Sequence, residues 1–130
     1  MLSISADKID SLFESIASSY NLYLPVDNES GKAEFEQWEK GKKLSSALKT
    51  VRSAKDFFFP KVENLVNYKR EGKSITVVDP RKDLGDFVVF GVRGCDAASF
   101  AIIYDGYLKM DPVDLYYKNR RDHGTVVTLD

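Results

Sequence analysis

The spacing of apolar residues changes period several times along the chain, and each period predicts an element. Ile9, Leu12, Phe13 and Ile16 recur at helical spacing, which predicts an amphipathic helix over residues 5–18 with Ser5 as its N-cap. Asn21 to Val26 reads as a strand ending at Pro25-Val26, and Ala33, Phe35 and Gln37 alternate with charged residues up to Trp38. Asp27-Asn28-Glu29-Ser30-Gly31 between them has turn chemistry, so the two strands are expected to form a hairpin. Residues 41–50 are polar and ambiguous between a loop and a short helix.

The next stretch reads as a helix again. Pro60 suits a first helical turn, where its missing N–H would be unpaired anyway. Val62, Leu65, Val66 and Tyr68 (or Lys69) then keep helical spacing up to Gly72, a natural stop. Ile75 to Val78 is a short β-branched strand, followed by a loop over residues 79–86. Phe87 to Val92 is a nearly continuous apolar run, as expected for a central strand covered on both faces. Asp96 then caps a helix through about Lys109, packed by Ala97, Phe100, Ala101, Ile103 and Tyr104. Asp111 and Pro112 open a second helix over 113–121, Gly124 ends it, and Thr125 to Leu129 is a last strand. A strand–helix–helix–strand unit implies a parallel, right-handed connection. The expected fold is α/β, with α+β as the alternative: one domain over residues 1–130 with a mixed sheet, an N-terminal helix and hairpin, and the C-terminal crossover unit.

Composition narrows the function classes. With 130 residues the chain can build a real core, and its formal net charge of −1 leaves no global basic field for nucleic acid. No apolar run approaches the roughly 20 residues of a membrane helix, so no membrane insertion is expected. Met1-Leu2-Ser3-Ile4 lacks the basic region and apolar core of a signal peptide. A single cysteine excludes an internal disulfide and makes a reducing cytoplasm the default. One Cys and one His cannot complete a zinc or iron–sulfur site from this chain alone. Leu129-Asp130 follows an apolar strand with no cap or polar tail, which suggests a fragment cut between two domains.

The segment richest in chemistry is Phe87-Val88-Val89-Phe90-Gly91-Val92-Arg93-Gly94-Cys95-Asp96. A strand hands over to a helix at a glycine turn that carries the only cysteine. A helix N-terminus there would favour a thiolate or an anionic metal cluster. The plain alternative for Cys95 is a small buried hydrophobe. Arg93 and Asp96 would hold the turn and tune its charge, or form an ordinary salt bridge and an ordinary cap; capping explains Asp96 in full. Arg120-Arg121 with Lys118 and His123 is a basic cluster that would clamp the cysteine turn, a carboxylate or a partner, or else a solvated helix end. Phe57-Phe58-Phe59 and Trp38 offer a partner-facing patch, although core packing explains at least two of them. His123 has no paired nucleophile, and Asp79, Asp83 and Asp86 lack the spacing of a calcium loop.

Gly91-Val92-Arg93-Gly94-Cys95-Asp96 resembles the Gly-Val-Arg-Pro-Cys-Asp signature of the iron–sulfur electron-transfer subunits of anaerobic reductases. That family includes the A subunit of anaerobic sulfite reductase and the beta subunit of sulfhydrogenases. Further pieces agree in order. Tyr20 to Val26 is similar to an early strand of the family. Ser53-Ala54-Lys55, Phe58-Phe59-Pro60 and Glu63-Asn64-Leu65 resemble its Ser-x-Lys, Phe-Phe-Pro and Glu-x-Leu block. Asp114-Leu115-Tyr116-Tyr117 with Arg120-Arg121-Asp122 resembles its Asp-x-Tyr-Tyr-x-x-Arg-Arg block. The family's chains are more than twice as long and carry a ferredoxin-like domain with two 4Fe-4S clusters beyond this region. The resemblance implies that Cys95 is one metal ligand of a 4Fe-4S cluster, with Arg93, Gly94 and Asp96 around it. No cluster is expected on this chain alone, the partners are other subunits of a reductase or hydrogenase complex, and the domain is not catalytic by itself. Gly94 departs from the signature's proline, which makes a looser turn the expectation.

Two other readings stand beside this one. A glycine turn at a strand's C-terminal end also suits a small-molecule or nucleotide site, but Gly91 and Gly94 complete neither a dinucleotide nor a phosphate-loop pattern. The third reading is an interaction module that uses its aromatic residues.

Overall fold

The computed structural model describes residues 4–129 and contains six strands and three helices among them. They run α1 (Ile9–Ala17), β1 (Asn21–Asp27), β2 (Ala33–Gln37), β3 (Asn67–Glu71), β4 (Ser74–Val78), β5 (Phe87–Arg93), α2 (Gly94–Tyr107), α3 (Leu115–His123) and β6 (Gly124–Leu129). Four strands form the main sheet in the order β2-β1-β5-β6, while β3 and β4 form a separate two-stranded sheet. β1 pairs antiparallel with β2 and parallel with β5, and β5 pairs parallel with β6. The fold is α/β with a mixed sheet, and the strand–helix–helix–strand unit joins two parallel neighbours as its length requires.

β5 is buried from Phe87 to Val92, with a core on each side. Phe87 and Val89 point to one face and pack with Ala54, Phe58, Phe100 and Tyr117. Val88 and Phe90 point to the other and pack with Phe13, Leu22 and Leu24 beneath α1. This is the two-sided burial that a continuous apolar strand predicts. Strand alternation would next send Gly91 to the α2 face and Val92 to the α1 face. A bulge intervenes instead: the β5–β6 register shifts between Phe90 and Val92. Gly91 has φ +84°, a left-handed conformation that glycine adopts freely, and a Cβ there would stand 2.9 Å from Pro25 Cδ. The extra residue returns Val92 to the α2 face, where it is fully buried.

The N-terminal helix begins as a short 3-10 turn over Ala6–Lys8 and becomes α1 at Ile9. The Ser5 hydroxyl donates to Asp7 and does not cap a backbone N–H. Residues 42–49 form no helix. Ser45 is instead buried there and donates its hydroxyl to Asp27.

The largest departure lies between Pro60 and Gly72. The helix expected there does not form. Residues 61–66 are irregular, and Asn67–Glu71 is a strand that turns back at Gly72, φ +61°, onto β4. Val62, Leu65 and Val66 do keep helical spacing, but no core face is offered to them and all are exposed. Tyr68 faces Val77 and Arg70 faces Ile75 across the hairpin, so the period-2 pattern of the later segment decides. Two further boundaries move. α2 starts at Gly94, two residues before Asp96, and α3 starts at Leu115 with Asp114 as its cap, accepting from the N–H of Tyr116 and Tyr117. Part of the expectation about the chain end rests on Asp130, outside the described residues, as are Met1-Leu2-Ser3 of the N-terminal reading.

α3 passes into β6 at Gly124 with no intervening loop. A Cβ on Gly124 would lie 2.3 Å from Phe58 and 2.5 Å from Phe87, both held in the core. Gly124→Ala is therefore expected to lower stability by about 1–3 kcal/mol, the usual range for overpacking, read as a lower urea midpoint with an unchanged slope.

Candidate functional site

The turn singled out by sequence sits at the C-terminal end of β5, where Arg93 is the N-cap of α2. Arg93 has extended backbone (φ −76°, ψ 150°) and offers no side-chain cap. The first N–H groups of this 14-residue helix thus have no side-chain acceptor from their own cap, and they carry the positive end of the helix dipole. Cys95, in the first turn, is exposed. The plain reading of this cysteine as a buried hydrophobe is not what the fold adopts.

Its neighbours are committed elsewhere. Arg93 Nη2 donates to the carbonyl of Ala47, pinning the 45–47 segment over the end of β5. Asp96 is not the cap that the sequence suggests. Its carboxylate turns to Lys55, whose Nζ donates at 2.6 Å, and both groups are partly shielded from solvent. Partial burial pushes the Asp96 carboxyl up, but hydrogen bonds from Lys55 and Ser53, the Lys55 charge and the Ala54 N–H outweigh it and hold it below its usual value. Nothing local in the sequence announces this pair, because its members lie 41 residues apart.

Gly94 has negative φ and open space around its Cα, so the backbone there does not require glycine. It is the first helical residue, a position that favours proline, and Arg93 before it already has the conformation proline demands. Gly94 takes the first position of α2 in place of the signature's proline.

The basic cluster does not clamp the cysteine turn. Arg120 bonds Glu63 Oε1 at 2.7–2.8 Å and the Phe57 carbonyl at 3.2 Å. Arg121 lies over the rings of Phe58 and Phe100, at 4.9 and 5.4 Å. Lys118 pairs with Asp122, and His123 Nδ1 with Asp86 at 2.6 Å. The Tyr116 hydroxyl donates to the Leu65 carbonyl. The segments 53–65 and 114–121, far apart in sequence, are therefore laced together, and the first is tied to α2 through Lys55–Asp96. Of the aromatic run, Phe57 and Phe58 pack inward, Phe59 is half-exposed against Tyr107, and Trp38 packs on Phe13. Asp79 holds Arg81 in a bidentate pair that lowers its carboxyl to about 2, so the 79–86 segment is a polar turn.

A cleft of about 330 Å³ between the 80–84 turn and α3 is lined by Glu63, Asp83, Tyr116, Asn119 and Arg120 among others. It lies away from Cys95, and its two arginines, Arg81 and Arg120, are each neutralised by a carboxylate. Among the described residues no three His, Cys, Asp or Glu side chains converge on a metal position. A 4Fe-4S cluster takes four thiolates, so this chain fits it as the donor of one. Among the described residues no helix is long and apolar enough to cross a membrane. No family model, curated protein or solved structure matches the chain.

Two outcomes test this geometry. Gly94→Pro should raise stability by about 0.5–1 kcal/mol through the unfolded chain's lost freedom; a lower urea midpoint would show that the Gly94 N–H or its backbone freedom is needed. For Asp96 the depressed carboxyl stabilises the fold above the unfolded value of about 3.9 and loses that effect as pH falls through the folded value. Asp96→Asn should therefore be less stable than the native protein at pH 7, with the gap closing as the urea midpoint is followed toward pH 3. A gap independent of pH would show that the ion pair contributes nothing.

Proposed function

We propose that this domain belongs to an electron-transfer subunit of an anaerobic reductase, of sulfite reductase or hydrogenase type, working in a reducing cytoplasm. In this reading Cys95 Sγ is one thiolate ligand of a 4Fe-4S cluster whose remaining ligands come from polypeptide outside this chain. The observation that carries the reading is the exposure of Cys95 in the first turn of α2. Around it, the other residues quoted for the resemblance are occupied with one another: Lys55 with Asp96, Glu63 with Arg120, Leu65 with Tyr116. That division suits a scaffold that presents a single ligand.

The cluster, when bound, would carry one electron at a time. The residues of this chain hold and bias it. Cys95 ligates as a thiolate, and the first-turn N–H groups of α2 favour negative charge beside it. Arg93, fixed through Ala47, adds a second positive charge near the turn. Both effects stabilise added negative charge and raise the reduction potential. Lys55 is balanced by Asp96 and contributes mainly by holding the α2 N-terminus in place. No proton transfer or bond-making falls to this domain.

The test is iron content in the assembled complex, co-expressed with the cysteine-bearing polypeptide. Cys95→Ala should remove about four iron atoms per chain and the matching reduced-state electron paramagnetic resonance signal. Its effect on the isolated domain's stability should stay within about 0.5 kcal/mol, as for an exposed residue. Unchanged iron in a folded variant would refute the ligand role.

A further inference from the structure

Residues 67–78 fold only on themselves. β3 and β4 pair with each other, and none of the other strands or helices packs substantially against either. Neither core contains a residue from this stretch. Among the described residues its one side-chain hydrogen bond stays inside it, from Arg70 Nε to the Gly72 carbonyl at 3.1 Å. Tyr68, Ile75 and Val77 lie on one face by register and are 75, 66 and 69 % exposed. A two-stranded hairpin by itself is marginal in water, so the placing of this arm rests on its two roots.

Both roots are tied to α3. On the incoming side Glu63 pairs with Arg120 at 2.7 Å, and the Leu65 carbonyl accepts from the Tyr116 hydroxyl. On the outgoing side Asp79 holds Arg81 at 2.7 Å. The Arg81 guanidinium in turn lies over the Tyr116 ring at 5.1 Å, and the Arg81 carbonyl accepts from Asn119 at 3.2 Å. Tyr116 therefore touches both roots, one with its hydroxyl and the other with its ring face. The same pieces, 62–64, 80–84 and α3 from Tyr116 to Arg120, wall the cleft of about 330 Å³.

We propose that the β3–β4 hairpin is a hinged arm that opens and closes as a unit of its own, with Tyr116 as its clasp and the cleft as its joint. In the closed state the Tyr116 hydroxyl and ring hold the two roots side by side. Opening releases the Leu65 carbonyl and the Arg81 stack together with the β3–β4 ladder. Both cores stay intact, because the arm contributes nothing to either. Few buried contacts and a solvent-exposed ladder are what place such a unit at the low end of local stability. The cleft changes shape with each opening, since two of its walls are the roots themselves. The motion involves neither Cys95 nor the N-terminus of α2 and is independent of the role proposed for them.

Native-state hydrogen exchange, followed residue by residue in low urea, tests it. The bonded amides of β3 and β4 should show protection factors at least about a hundredfold below those of β5. Their exchange should hardly change with urea, because little surface is exposed on opening, while β5 follows the slope of global unfolding. Tyr116→Phe, which removes one hydrogen bond and keeps a ring under Arg81, should speed exchange in the arm about two- to tenfold and leave its shallow urea slope as it was. Gly124→Ala, which strains the body, should speed exchange in β5 and leave the arm at its native rate. Arm amides with the full urea slope of β5 overturn the proposal, as does a Gly124→Ala variant in which arm and β5 speed up together. A Tyr116→Phe variant whose arm exchanges at the native rate removes the clasp. An arm with no measurable protection has no closed state and overturns it as well.

Discussion

Six consecutive buried residues, Phe87 to Val92, oblige this fold to roof its central strand on both faces. β6 flanks β5 from Phe87 to Arg93 except at the Gly91 bulge, and β1 flanks its first part, Phe87 to Val89. α1 supplies Phe13 to one face. α2, α3 and the 54–58 turn supply Phe100, Tyr117 and Phe58 to the other. Burying such side chains contributes about 1.5–3 kcal/mol each, well above any surface ion pair in the molecule. The bulge at Gly91 is part of the same constraint. It lets Val92 finish the α2-side core.

The position of Cys95 follows from that packing. With β5 ending in the core and α2 folding back over Phe58 and Phe87, the first turn of the helix is left at the rim of the sheet. Two tethers hold it there, Arg93 to Ala47 and Asp96 to Lys55, and both reach into the segment between β2 and β3. That segment has little regular structure of its own, yet it connects the candidate site to the rest of the body. Its far part is anchored in turn by Arg120 and Tyr116 of α3. The site is thus supported by residues that never approach the sulfur.

Sheet and periphery differ in how much of them the sequence made readable. β1, β2, β5 and β6 announce themselves by alternation or by an unbroken apolar run, because strand burial repeats over two residues and needs no distant information. α1 is equally plain, with Phe13 on the buried side of a helical stripe. The 61–72 segment misleads for a physical reason. Val62, Leu65, Val66 and Tyr68 satisfy a helical spacing, but spacing lowers the free energy only where a core face exists to receive it, and the body offers none there. Asp96 misleads in a similar way. It is a good cap by residue type, yet a cation 41 residues away competes for the carboxylate and wins.

The order of residues alone determined the α/β class, the central place of β5, the strand–helix handover at Cys95 and the limit of one thiolate for any iron–sulfur chemistry here. These depend on local periodicity and on counting, and both are complete in one dimension. Tertiary structure decided what the charged and aromatic side chains do: that Cys95 stays outside, that the arginines serve α3 and the core, and that β3 and β4 stand apart with an apolar face uncovered. Those outcomes hang on which distant groups arrive within hydrogen-bonding or packing reach. Chain spacing does not encode that proximity until the sheet has formed.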